Sequence, residues 1–186
     1  MNSPKPTSVE WQALRQGSRP GFSTLFFQYS DELLRYGYRI HPDRELLKDC
    51  IQELFLSIWQ RRDHLPELVN EHAYLLQAFR RLLLRRIKQD EQNRFERDSL
   101  KVTFELPKEE WANLPESQQH LKSFIAATID NLPRCQREIV YLKYYEGFTY
   151  DEICEIMGIK PQAAWNLVSR AVTRLRLLIS DRRVFQ

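Results

Sequence analysis

The side chains in this chain that could do chemistry are cations, amides and a hydroxyl set out at helical spacing. Residues 80–88, RRLLLRRIK, carry Arg80, Arg81, Arg85, Arg86 and Lys88 and no acid. A solvated helix face normally mixes signs, so this concentration favours a polyanion as partner. A second set lies near the C-terminus: Lys160, Gln162, Trp165, Asn166, Ser169, Arg170, Arg174 and Arg176. Asn and Gln can pair bidentately with adenine and Arg with guanine, whereas phosphate contacts position a helix without specifying sequence. Little here suits catalysis. His41, His64, His72 and His120 are scattered, and there is no P-loop, nucleophile elbow or paired-carboxylate motif. Cys50, Cys135 and Cys154 form no CxxC and have no nearby His to suggest zinc, so they read as small, reduced core residues. The expectation is no catalytic residue, no metal, no cofactor and no small-molecule substrate.

The elements that must position the second set are legible. Thr149 and Glu152 have the spacing of a capping box, and Ile153, Ile156 and Met157 follow as an apolar stripe. Gly158 sits where that helix would stop, since it takes positive φ without steric cost. Pro161 suits the first turn of the next helix, where its missing N–H is not needed. Ala164, Val168, Ala171 and Leu175 then fall on one inward face, leaving the amides, Trp165, Ser169 and the arginines outside. A capped helix, a Gly turn and a second helix of this kind form the pattern of a helix-turn-helix. An αα-hairpin within a helical bundle is the competing reading of these residues alone.

The totals agree with a folded, helix-rich protein. Hydrophobic residues make up 42% of the 186, charged residues 28%, and there are only five glycines. Net charge is +3 overall, distributed as +3 over residues 1–90, −3 over 91–120 and +3 over 121–186. Two basic blocks separated by an acidic middle suit two modules that touch a polyanion and a connector that does not. No run approaches the roughly 18 apolar residues of a bilayer span, and the polar start is no signal peptide. The expected location is the cytoplasm.

Taken in order, residues 1–20 read as a frayed N-terminal arm with early prolines and a Gly-Ser-Arg-Pro step. The spacing of Leu25, Phe26, Tyr29, Leu33, Tyr36 and Ile40 predicts a helix over 22–40. Pro42 and Asp43 break and restart it. A helix over 43–61 places Leu47, Ile51, Leu54, Phe55 and Ile58 inward, with Asp49, Gln52, Glu53 and Leu56 wholly or partly on the other side. A loop then leads to a third helix over 71–92, which carries the cationic stripe. Residues 91–120 lose the periodicity and read as a linker, with a short helical turn near Trp111. Leu121, Phe124, Ile125 and Ile129 resume it. A helix over 134–146 turns Ile139, Leu142 and Tyr145 inward, with Val140 beside them, and Gly147 stops it. The last six residues read as frayed.

In this order the segments resemble the extracytoplasmic-function sigma factors of bacterial RNA polymerase. Two passages carry the likeness. DCIQELFLSIWQRR (49–62) is similar to the family's D-x-x-Q-E/D-x-F-x-x-x-W helix of region 2, and LPRCQREIVYLKYYEGFTYDEICEIMGIKPQAAWNLVSRAVTRLR (132–176) is similar to region 4. The resemblance implies an all-α protein of two small helical domains joined by a flexible linker. Its parts would be an N-terminal arm (1–20), region 2 (21–92), the linker (93–120) and region 4 (121–182). It implies no chemistry of its own, with core RNA polymerase and promoter DNA as partners. Asp49, Gln52, Glu53 and Leu56 would then dock onto core polymerase, a polar acidic face suiting a basic partner. Arg61, Arg62, Tyr74, Arg80, Arg81, Arg85, Arg86 and Lys88 would handle the −10 element, where opening DNA requires a cationic track and a surface that replaces base stacking. Lys160, Gln162, Trp165, Asn166, Ser169, Arg170, Arg174 and Arg176 would meet the −35 element.

The chain departs from the family at three places. Lys160-Pro161 stands where Ser often caps the recognition helix, Trp165 replaces a usually polar or basic residue, and Arg81 stands where Asn is common. The resemblance also implies a membrane-anchored anti-sigma protein as a controlling partner, with which exposed apolar surface on two separate modules is compatible. The alternative function is a conventional helix-turn-helix regulator with a helical N-terminal sensor or dimerisation domain.

Overall fold

Side-chain oxygens placed just ahead of apolar runs set where several helices begin. In the computed structural model, which describes residues 8–67, 70–94 and 127–183, Ser8 caps α1 (Val9–Arg15), its Oγ accepting from the Trp11 N–H at 3.1 Å. Ser18 caps α2 (Arg19–Gly37) through the Gly21 N–H, and Asp43 caps α3 (Arg44–Gln60) through the Glu45 and Leu46 N–H groups. Each such cap is worth about 1 kcal/mol. A 3₁₀ turn at Arg62–His64 follows α3, and α4 is Glu71–Arg94. Residues 127–130 are helical. Then come α5 (Arg134–Val140), widening into a π turn at Tyr141–Tyr145, α6 (Tyr150–Met157) and α7 (Pro161–Arg183). No strand occurs among the described residues, so the fold is all-α, and the chain divides into two compact units.

In the first unit α2 packs against α1, α3 and α4. Leu25, Tyr29, Leu33 and Tyr36 from α2 meet a core that includes Leu47, Leu54, Phe55, Leu75, Leu76, Phe79 and Leu83. Gly37 is the close-approach point: a Cβ there would fall 2.7 Å from Leu47 Cδ2 and 3.1 Å from Phe79 Cζ. A second cluster is aromatic, with Phe26 on Phe55 at 5.0 Å and Phe22 on Trp59 at 5.3 Å between centroids.

The expectation of a frayed arm over 1–20 is corrected from Ser8 onward, residues 1–7 lying outside the described residues. Trp11 and Leu14 on α1 are fully buried. The Trp11 indole N–H donates to the Pro66 carbonyl at 3.0 Å, and the Ser8 N–H donates to Glu71 Oε2 at 2.9 Å. In the Gly-Ser-Arg-Pro step, Gly17 turns the chain at φ +83°, Ser18 is the next cap, and Arg19 and Pro20 open α2. Helix α2 therefore begins at Arg19 and ends at Gly37, three residues short of Ile40, which is buried beyond its end.

In the second unit the expected core holds, with one register change. Ile139, Val140 and Leu142 are buried, but Tyr145 is exposed and Tyr141 is buried in its place. The π turn causes this: it takes more residues per turn, so each one steps through a smaller angle and the α-helical spacing that would have aimed Tyr145 inward no longer applies. Ala164, Val168 and Ala171 are buried, with Leu175 packed beside Ala171, Leu132 and Val140. Two charged residues also enter this interior, Arg137 and Glu138, and Arg137 Nη1 donates to the Asp130 carbonyl at 3.0 Å. Helix α7 continues through Arg183, past the expected fraying point at 181. Of the cysteines, Cys50 is buried while Cys135 and Cys154 are half-buried. Most of the segment read as a linker, including Trp111, and the resumed run at Leu121, Phe124 and Ile125 lie outside the described residues.

Candidate nucleic-acid and protein-docking surfaces

The α3 face opposite the core carries the residues expected to dock on a partner. Asp49, Gln52 and Leu56 are exposed there, Leu56 at 59%. Glu53 is half-buried and engaged. Its Oε1 accepts from Arg85 Nη2 at 3.0 Å and its Oε2 accepts from Arg86 Nε at 3.1 Å, with Arg86 Nη2 on the same oxygen. One carboxylate of the α3 face thus grips two cations of the α4 stripe. Arg81 and Lys88 on that stripe are exposed, and Arg80 is half-buried with a partner of its own.

The end of α3 holds its arginines back onto the helix. Arg62 Nη1 donates to the Trp59 carbonyl at 3.0 Å, and its guanidinium lies 5.0 Å from the Trp59 ring centroid. Arg61 hydrogen-bonds Ser57 one turn back. Tyr74 is half-buried, its ring meeting the edge of Trp11 at 5.3 Å. That contact helps pack α1 against α4. Glu71, nearby and buried, accepts from Tyr29 Oη at 3.3 Å; burial first, then the Glu71 charge, pushes the Tyr29 phenol well above its ordinary range.

The helix-turn-helix is built from the cap outward. Thr149 Oγ1 accepts from the Glu152 N–H while Glu152 Oε2 accepts from the Thr149 N–H at 2.8 Å, a complete capping box. Gly158 closes α6 at φ +65°, ψ +40°. Lys160 stands where a capping side chain is usual, and only its backbone carbonyl serves α7, accepting from Ala163 and Ala164. Gln162, Trp165, Asn166, Ser169, Arg170, Arg174 and Arg176 are all exposed on α7, and Gln162 Nε2 donates to Asn166 Oδ1 at 3.3 Å. The structure therefore exposes seven of the eight residues of the upstream set on α7, with Lys160, also exposed, just ahead of it. It also adds two residues that sequence reasoning missed. Tyr150 stacks on Trp165, and Lys143 lies over Tyr150. Burial, then neighbouring Tyr144, raises the Tyr150 phenol.

Among the described residues no group of three or more His, Cys, Asp or Glu comes together to hold a metal ion. No helix among them is long and apolar enough to cross a membrane.

Comparison with known proteins fits these two surfaces. Residues 25–93 match the model for Sigma-70 region 2, and residues 125–175 match that for Sigma-70, region 4. The chain is 25% identical over 181 residues to an ECF RNA polymerase sigma factor, SigE, of Mycolicibacterium smegmatis, covering 94% of this chain and 68% of that protein. Its fold is similar to the sigma factor RpoE of Bartonella quintana, solved in complex with the anti-sigma factor NepR. The TM-score is 0.69 at 18% identity, covering 86% of this chain and 96% of the other. It is also similar to CnrH, solved in complex with the cytosolic domain of CnrY, with a TM-score of 0.62 at 14% identity over 93% of this chain and 96% of that one.

Proposed function

Because the chain belongs to the extracytoplasmic-function group of sigma-70-type RNA polymerase sigma factors, we propose that its first unit grips core polymerase and the −10 element while its second reads the −35 element. The observation that carries this reading is the order of the two family matches along the chain, region 2 ahead of region 4. Region 2 is assigned to 21–92, with α1 added because its Trp11 is part of that core. Region 4 is assigned to 121–182 and the connector to 93–120.

Asp49, Gln52 and Leu56 are the exposed docking residues for polymerase, with Glu53 joining them when it releases α4. Arg81, Arg85, Arg86 and Lys88 supply the cationic track for the −10 element, flanked by Arg80, Arg61 and Arg62. Tyr74, half-buried with its ring on Trp11, is the aromatic of that set. Lys160 and the outward α7 residues from Gln162 to Arg176 form the upstream contact, Arg174 and Arg176 on the DNA backbone.

The protein supplies no bond-making chemistry and works in the cytoplasm, where nucleotidyl transfer belongs to the polymerase. An anti-sigma protein anchored in the membrane is the controlling partner class. Exposed Phe27, Leu56 and Tyr144 offer apolar surface to such a protein on both units.

Reconstitution with core polymerase tests the reading. The chain is expected to form a stable complex with core and to direct runoff transcription from a cognate promoter. Arg170→Ala is expected to erase the upstream footprint without weakening core binding. Absence of a complex with core would overturn the assignment. A dimer binding a palindromic duplex without polymerase would favour a conventional regulator.

A further inference from the structure

The recognition helix carries an aromatic plate. The Trp165 and Tyr150 ring centroids lie 4.3 Å apart with planes 15° from parallel, yet Trp165 remains 57% exposed. Tyr150 is the first residue of α6, so the stack joins the start of α6 to α7. Lys143 Nζ lies 4.7 Å from the Tyr150 centroid and donates to the Phe148 carbonyl at 3.3 Å, which ties the stack to the π turn. Tyr150 covers one indole face. The other face and the ring edge stand in water beside Gln162 and Ser169, its exposed neighbours at i−3 and i+4.

An indole has a single N–H donor and no acceptor, so it cannot make the forked hydrogen bonds by which amides and guanidinium groups read bases. It can recognise an apolar group, and the 5-methyl of thymine is the apolar group exposed on a base edge in the major groove. Stacking on Tyr150 also settles the indole orientation before DNA arrives, lowering the ordering cost of the contact.

We propose that Trp165, held by Tyr150 and Lys143, is a specificity-determining residue that selects a thymine in the upstream promoter element through its 5-methyl group. This rests on α7 being the recognition helix. Tyr150 and Lys143 are positioning residues, acting through the indole.

The test replaces each thymine of the upstream element, one at a time, with deoxyuridine, which keeps base pairing and removes only the methyl. Affinity is measured for the reconstituted holoenzyme. At one thymine the replacement is expected to weaken binding about fourfold, the worth of one buried methyl. Trp165→Ala should abolish the thymine preference there while leaving core binding unchanged. Tyr150→Ala should abolish it as well, and Tyr150→Phe should retain it, because stacking requires the ring and not the hydroxyl. Equal affinity for thymine and deoxyuridine at every position overturns the proposal, as does a preference that survives Trp165→Ala. Arg170→Ala separates the two levels. If it erases the upstream footprint while the deoxyuridine scan is flat, only this inference falls; if the footprint is unchanged, the recognition-helix reading falls with it.

Discussion

Glu53 on α3 and Arg85 on α4 face each other with Oε1 and Nη2 3.0 Å apart, and Arg86 closes on the other oxygen of the same carboxylate. The acid belongs to the face proposed for polymerase and the cations to the face proposed for DNA. An exposed ion pair of this kind contributes little stability. Its consequence is electrostatic: the cationic stripe of the free chain presents less charge than its five basic residues suggest.

Glu53→Gln should therefore strengthen binding of the free chain to non-specific duplex DNA. Each additional phosphate neutralised steepens the log–log dependence on salt by about 0.9. Releasing Arg85 and Arg86 should steepen the slope by roughly one to two. Fluorescence anisotropy across a salt series measures it. An unchanged slope would mean that neither arginine is withheld by the carboxylate.

Trp11→Ala should destabilise the first unit by about 3–5 kcal/mol, the usual cost of emptying a large aromatic site in a core. Trp11 has no exposure, and its indole N–H is satisfied only by a carbonyl on the segment before α4, at Pro66. Thermal unfolding followed by circular dichroism reads the loss directly. A melting temperature within about a degree of wild type would return α1 to the status of a loose arm.

High pH should weaken the first unit through Tyr29 and Cys50. Burial, then the Glu71 charge, raises the Tyr29 phenol above its ordinary 10.0, and burial raises the Cys50 thiol from 9.0 to about 11. In both cases the unfolded chain releases a proton that the native state keeps. Stability is therefore whole below the unfolded values and falls as pH rises through the folded ones. Urea midpoints should decline from about pH 9 upward in the wild type. Tyr29→Phe should decline less above about pH 10, and parallel declines would remove Tyr29 from this account.

The helix-turn-helix was legible because its signals are local. Thr149 with Glu152, Gly158 and Pro161 each act within a turn of their own positions, and the structure places them as that chemistry requires. The α1 helix was hidden because seven residues with two buried side chains form no measurable stripe, and two of its anchoring hydrogen bonds go to Glu71 and Pro66, more than fifty residues away. The Tyr145 register failed for a different reason. A π turn changes the angular step between residues, and nothing in the residue types of YLKYY announces it. The same non-locality hid the grip of Glu53 on Arg85 and Arg86, which spans 32 and 33 residues. Exposure of the upstream set followed from the apolar face of α7, but the Tyr150 stack depended on how two helices meet.

That grip also changes how the polymerase-docking face is best examined. Reversing Glu53 to Lys would place a third cation against Arg85 and Arg86, so a loss of core binding could come from repulsion between α3 and α4. Asp49 avoids the ambiguity, because it is exposed on the same face. Asp49→Lys should weaken the complex with core polymerase by about tenfold if a basic partner surface meets it, as rim charges set partner choice and association rate. Circular dichroism and the melting temperature should stay at wild-type values, since surface substitutions usually change stability by less than about 0.5 kcal/mol. Titration of labelled chain with core polymerase decides the matter. Full affinity in Asp49→Lys, with Leu56→Arg equally silent, would move the docking surface off this face of α3.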